Sequence, residues 1–402
     1  MLLARSIDAD ACVRYQKQAT DIGKSSFALA WILDTGEQER THGVTTDIAT
    51  HPFSTSSTSF TILDAPGHRD FVPNMLAGAS MADIAVLVVD ANQLESGMKG
   101  QTREHVLLAK AAGLKQIIVA INKMDTTTPE NWSETAFTSV SVEVGKFLQD
   151  AGFAGEDIAF VPCSGLGGAN VVKSGDISWI AKSHPTLLQQ LERFAAQLSS
   201  ISEGDRTVAV KGPLRMQIAD VFRGSNQNPL SIAGRIERGN VQTGDVILVQ
   251  PSGETATIRG IEVGNAGETR DWVVAGEIVT LHLADIEARF LRAGDIVCNP
   301  SHPISVVKAF TLRIEALDAL LPMPLEVNLG GLQAAGKLSQ LSWTLAPDGG
   351  VLKKKPRMIK AGQSAVVKVT TEEGVPIGNG ERVVLRTRGA TVAVGVVEGV
   401  GS

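Results

Sequence analysis

Phe60-Thr61-Ile62-Leu63-Asp64-Ala65-Pro66-Gly67-His68 governs how the rest of the chain is read. Its four leading residues form an apolar run short enough to be a buried strand. The run stops on a carboxylate, and a Pro-Gly turn follows at once. In an open α/β sheet, ligands bind beyond the carboxyl ends of the strands, so Asp64 stands where a ligand group belongs. A carboxylate there holds Mg2+ through water. Gly67 lacks a Cβ, so its backbone N–H can approach a terminal phosphate. His68 is then placed to orient an attacking water. An Asp-x-x-Gly turn is common by itself, and its meaning depends on its surroundings.

Downstream, the apolar runs 84–89, 117–121 and 159–162 repeat the pattern. Helical stretches lie between them, one over 101–112 ending at Gly113 and one over 133–150. Buried strands alternating with helices predict a mostly parallel sheet. The run 117–121 ends in Asn122-Lys123-Met124-Asp125. An Asp carboxylate accepts two hydrogen bonds from guanine's ring N–H and amino group, a donor pair that adenine lacks. Asn122 is expected to tie loops together, and the stem of Lys123 to cover the base. The run 159–162 leads into Cys163-Ser164-Gly165-Leu166, whose backbone N–H groups suit the guanine carbonyl. Upstream, Gly43-Val44-Thr45 offers a hydroxyl suited to completing a Mg2+ shell. Asn122-Lys123-Met124-Asp125 after a strand is moderately specific, and the other signals are weak alone. Together they fall in the order and at the strand ends that GTP chemistry requires.

The pattern changes near residue 185. A last amphipathic helix is predicted over 186–197, and Ser199-Ser200-Ile201-Ser202-Glu203-Gly204-Asp205 reads as a linker. Alternating apolar and polar residues over 230–250, broken by Gly234, Gly239 and Gly244, predict short strands with glycine turns. Pro300 and Pro303 mark another boundary, and strand-like runs resume at 309–314. About 190 residues suit two β-barrels better than one. The expected division is a GTP-binding domain over 1–198, a linker over 199–206, and barrels over 207–301 and 302–402.

The bulk properties agree with a folded chain. Of 402 residues, 43% are hydrophobic and 20% charged. No apolar run approaches the roughly 20 residues that span a bilayer, so no membrane partner is expected. Asp8 and Asp10 interrupt the start too early for an export signal. Cys12, Cys163 and Cys298 lie far apart without metal-like spacing, which suits a reducing, cytoplasmic setting. A net charge of −6 argues against a general nucleic-acid coat. Lys353-Lys354-Lys355-Pro356-Arg357 reads as a solvated loop in preference to an RNA contact.

The stretch 27–125 resembles translational GTPases of the elongation factor 1-alpha group. It carries Glu39-Arg40-Thr41-His42-Gly43-Val44-Thr45, then Ile62 to Phe71, Gly100-Gln101-Thr102-Arg103-Glu104-His105 and Asn122-Lys123-Met124-Asp125. Gly234-Arg235-Ile236-Glu237-Arg238-Gly239 resembles a turn in the first barrel of that group. Arg69-Asp70-Phe71-Val72-Pro73-Asn74-Met75 is most similar to the Hbs-type ribosome-rescue branch. The resemblance implies GTP or GDP with Mg2+ as ligands, and the ribosome, its RNA and a Pelota-like factor as partners of a monomer. It gives Thr45 and Asp64 to Mg2+, Gly67 to the γ-phosphate and His68 to the hydrolytic water. Asn122, Lys123 and Asp125 would read guanine, helped by Ser164, Gly165 and Leu166.

One departure stands out. A phosphate-binding loop needs Gly-x-x-x-x-Gly-Lys-Ser/Thr between a strand and a helix. Gly23-Lys24-Ser25-Ser26 ends like one, but the earlier glycine falls on Gln18, so this stretch is read as a decoy. The domain is therefore expected to be N-terminally truncated, with the loop and the first strand upstream of residue 1. Each lost charge-assisted hydrogen bond to phosphate is worth roughly 1.5–3 kcal/mol. Three readings follow: a rescue GTPase, a nucleotide-incompetent binding module of the same group, or a tRNA-carrying elongation factor or termination-factor subunit.

Overall fold

Gln116-Ile117-Ile118-Val119-Ala120-Ile121-Asn122 is apolar without alternation, and a strand of that kind must be covered on both faces. In the computed structural model it is the middle strand of a three-stranded parallel sheet. The structure describes residues 48–65, 72–93, 101–200, 203–222, 230–264, 268–346 and 348–400. The sheet consists of β3 (Ile84–Asp90), β4 (Gln116–Asn122) and β5 (Ile158–Pro162), in the order β3-β4-β5. Ile117 through Ile121 are at most 2% exposed. Ile117, Val119 and Ile121 pack against Phe137, Val140, Val144 and Leu148 of the helix Glu134–Asp150. Ile118 packs the other way, against Val161 and Phe194 of the helix Leu187–Ser200. Each buried isoleucine contributes about 1.5–3 kcal/mol, so this strand anchors the domain.

The helix ends follow from local chemistry. Ser133 accepts a hydrogen bond from the Ala136 N–H at the start of Glu134–Asp150. Thr186 and Gln189 cap each other reciprocally before Leu187–Ser200, backbone N–H to side-chain oxygen in both directions. Gly113 ends Gln101–Ala112 with a left-handed φ of 102°, and its N–H donates to the Lys110 carbonyl.

The strand containing Phe60 differs from expectation. It forms β2 (Ser59–Asp64), which pairs antiparallel with β1 (Ala49–Ser54) in a hairpin. Among the described residues it is not hydrogen-bonded to the parallel sheet. The polar run 54–59 supplies the turn, where Thr55 N–H donates to the Thr58 carbonyl. Phe53 and Phe60 stack across the hairpin with ring centroids 5.0 Å apart. The first strand was hidden by Pro52 and by its polar surroundings. On the parallel sheet, β3 is an edge strand, and its Val86 and Val88 are exposed.

The chain divides into two compact units at Ile201 and Ser202, inside the stretch read as a linker. That stretch is helical on both sides, since one helix ends at Ser200 and another spans Glu203–Lys211. The second helix is fastened to the barrel that follows it, where Gly239 N–H donates to the Ala209 carbonyl.

Two seven-stranded antiparallel sheets follow, each closing on itself. In the first, Glu254–Val263 pairs with Val246–Gln250 to complete the ring. In the second, Pro324–Leu329 pairs with Leu332–Leu345. Each encloses its own core, one around Met216, Ile232 and Leu281 and the other around Phe310, Val327 and Val367. Gly234, expected to break a strand, lies inside Leu230–Arg238. A Cβ there would stand 2.2 Å from the Gln217 carbonyl oxygen, so the glycine permits close strand approach. The two barrels are tied by Gln217 of the first. Its amide donates to the Leu329 carbonyl (2.8 Å), and its oxygen accepts from Gly331 N–H (3.0 Å).

Candidate functional site

Parallel strands deliver their carboxyl ends to one edge, and here three ends meet. Asp90 closes β3, Asn122 closes β4, and Cys163-Ser164-Gly165-Leu166 follows β5. Asp90 and Asn122 are neighbours in register, and Ala91 N–H donates to the Asn122 carbonyl.

Asn122 performs the tying role expected of it. Its side-chain oxygen accepts from Lys123 N–H and from Gly165 N–H, both at 2.8 Å. One amide thus joins the loop after β4 to the loop after β5, 43 residues away. Backbone bonds reinforce the join, since Met124 N–H donates to the Cys163 carbonyl. Lys123 takes a left-handed φ of 63°. The chain then enters a short 3-10 turn, Met124–Thr126, with Met124 buried and Asp125 half-buried. Ser164 is buried, and its hydroxyl accepts from Gly167 N–H. Gly165 and Leu166 are exposed, which leaves the loop backbone open to a ligand.

Lys123 is held by a residue that the sequence reading did not single out. Its ammonium lies 2.7 Å from an Asp90 carboxylate oxygen. The other Asp90 oxygen accepts from Asn92 N–H, and the Asn92 amide donates to the Thr126 hydroxyl. Partial burial works to raise the Asp90 carboxyl, but the Lys123 ammonium and the Asn92 N–H outweigh it and hold it below its ordinary value. The signal was available: Asp90 ends an apolar run just as Asp64 does. Burial pushes the Cys163 thiol up to about 11, with Asp125 adding in the same direction. A protonated, buried thiol is no nucleophile, so Cys163 serves through its backbone.

Asp64 stands at the end of β2, half-buried and opposite Ala49. It is a hard oxygen donor, which suits Mg2+. Among the described residues no three His, Cys, Asp or Glu side chains cluster as a metal cage. Thr45, Gly67 and His68 lie outside the described residues, as do Gly23–Ser26 and the Arg69-Asp70 pair. The described geometry is therefore that of the loops after β3, β4 and β5.

Known proteins extend the picture. Residues 6–197 match the Elongation factor Tu GTP binding domain, and residues 330–401 match the Elongation factor Tu C-terminal domain. Elongation factor 1-alpha of Thermoplasma acidophilum is 36% identical over 401 residues, covering 97% of this chain and 90% of that protein. The elongation factor 1 alpha-like protein of Schizosaccharomyces pombe is 36% identical over 98% of this chain and 65% of its own length. Protein HBS1 of Drosophila melanogaster is 34% identical over 96% of this chain. The chain spans 58% of that protein, so it covers less than two thirds of either of these two relatives. Among solved structures, the GTP-bound GTPase-like domain of Saccharomyces cerevisiae Ski7 superposes with a TM-score of 0.77, covering 98% of this chain and 92% of that one at 19% identity, which is a likeness of fold. The matched GTP-binding domain, the two barrels behind it and the near full-length similarity lead to one assignment: the chain belongs to the elongation factor 1-alpha family of translational GTPases.

Proposed function

We propose that this chain binds and hydrolyses GTP to deliver a Pelota-like factor to stalled ribosomes. The observation that supports the nucleotide part is the Asn122 bridge, which fastens the loop carrying Asp125 to the loop after β5. In this reading the Asp125 carboxylate accepts from guanine's N–H and amino group, and the loop after β5 donates to its carbonyl. The Lys123 stem lies along the base while Asp90 holds its charged end. Thr45 and Asp64 hold Mg2+, Gly67 meets the γ-phosphate and His68 orients the water. Mg2+, when bound, neutralises charge on the phosphates. The rescue branch draws on the Arg69-Asp70-Phe71-Val72-Pro73-Asn74-Met75 stretch and on the similarity to HBS1.

The test is sedimentation with ribosomes stalled on a truncated message, with GDP or a non-hydrolysable GTP analogue, with and without a Pelota-like factor. Co-sedimentation that requires both the analogue and the factor is expected. Binding indifferent to nucleotide would sink the delivery role. A second reading, a tRNA-carrying elongation factor, is favoured by the 36% identity to the Thermoplasma protein, against 34% to HBS1, and by its fuller coverage. It predicts GTP-dependent retention of aminoacyl-tRNA on a filter, and no such retention would remove it.

A further inference from the structure

Val351-Leu352-Lys353-Lys354-Lys355-Pro356-Arg357-Met358-Ile359-Lys360 carries five cations and no acid, in a chain whose acids outnumber its bases 43 to 37. Its core is expected to be a solvated loop; its cations are exposed, and Lys353 and Lys354 lie on a strand. Val351–Lys354 is an edge strand of the second barrel, paired to Leu332–Leu345 with Lys354 opposite Trp343 and Lys353 opposite Thr344. Lys355 N–H donates to the Ser342 carbonyl at 2.8 Å. Pro356 is buried, and Ile359 is fully buried and doubly hydrogen-bonded to Leu320. The segment is thus pinned at both ends and in its middle, while all five cations point to solvent. None of the five is ion-paired among the described residues. The half-exposed Trp343 lies beside them.

We infer that this edge is a docking surface for the phosphate backbone of ribosomal RNA. A pinned backbone spares the ordering of the segment itself, and unpaired cations that meet phosphates release the counterions condensed on a polyanion. An aromatic ring beside such a row is a stacking platform for an unpaired base. A lipid surface fits less well, because adjacent strand residues point to opposite faces. Leu352 shares a face with Lys354, and Val351 shares one with Lys353, so neither face is a continuous apolar one. The inference rests on the ribosomal reading above for the source of the RNA.

The experiment compares the full chain with its K353Q/K354Q/K355Q/R357Q variant by sedimentation with salt-washed ribosomes over a salt series. The substituted residues are exposed, and a thermal melt confirms that the barrels stay folded. Each lost phosphate contact lowers the slope of log affinity against log salt by roughly 0.7–0.9. The variant is expected to bind at least about tenfold more weakly at low salt, with a slope shallower by about 3. The charge-preserving K353R/K354R/K355R/R357K variant is expected to keep binding. Equal affinity and slope for the parent and the glutamine variant would overturn the inference and leave the delivery role standing. Preferential capture by bulk tRNA or by phosphatidylserine vesicles would also overturn it. A basic-run dependence that persists without any effect of GTP or of the Pelota-like factor would uphold this surface and reject the delivery role.

Discussion

Asn122→Ala removes a side chain that joins the loop after β4 to the loop after β5. Two hydrogen bonds go with it, both from backbone N–H groups at 2.8 Å. A hydrogen bond of this kind contributes about 0.5–1.5 kcal/mol net. Gly165 is exposed, so water can satisfy its N–H when the amide is gone, and the lower half of that range applies there. The sum is about 1–2.5 kcal/mol, or roughly a 5- to 60-fold loss of guanine-nucleotide affinity. The backbone bond from Met124 to Cys163 remains, so the loops loosen without separating. Titration with a fluorescent GDP analogue reads the loss, and a thermal melt separates it from unfolding. Asn122→Asp keeps an oxygen in the same place and is expected to fall between the parent and Asn122→Ala. Affinity within twofold of the parent for Asn122→Ala would refute the bridging argument, because the contact would then hold nothing that the ligand needs.

Three further outcomes are expected from the same structure. Asp90→Ala frees the Lys123 ammonium; because that pair is exposed, a loss of about two- to fivefold in nucleotide affinity is expected at low salt, fading at high salt, in the same titration. Gly234→Ala forces a Cβ against the Gln217 carbonyl in the first barrel and should cost about 3 kcal/mol or more, read as a lowered denaturation midpoint. Burial pushes the Glu381 carboxyl in the second barrel up to about 7, with the nearby Glu237 adding to it against the pull of Arg215 and Arg238. Its folded-state pKa lies above its ordinary 4.5, so the folded state binds the proton more tightly. Stability of the C-terminal unit should therefore fall as pH rises from about 4.5 to about 7, by about 1–3 kcal/mol after allowance for partial exposure. Glu381→Gln should flatten that slope in melts across the same range, and an unchanged slope would assign it to other groups.

The candidate site's strand-end loops were legible in the sequence because they are local. Asn122, Lys123 and Asp125 follow a strand that is apolar at every position, and such a strand is recognisable without its neighbours. The helix ends were equally local: Gly113 stops a helix by its own backbone freedom, and Ser133 starts one through its own hydroxyl. Two barrels could be inferred from glycine-punctuated alternation, since strand length and turn chemistry are written in adjacent residues. Asp90 was legible by the same rule and was passed over.

Tertiary structure decided what depends on partners distant in the chain. The Phe60 strand reads as buried and apolar, yet its pairing with Ala49–Ser54 was set by a polar turn and a Phe–Phe stack that no single-strand pattern reveals. Gly234 looks like a strand break in sequence, and only the Gln217 carbonyl on the neighbouring strand shows why a glycine sits inside one. The basic run at 353–357 looks like solvated loop until Ile359 is seen locked to Leu320. Sequence alone determined the order of elements and the chemistry at strand ends, because propensity and periodicity act over a few residues. Structure decided which strands pair, which charges stand unpaired and which loops are bridged, because those contacts join residues from far along the chain and their energies appear only once the chain has closed.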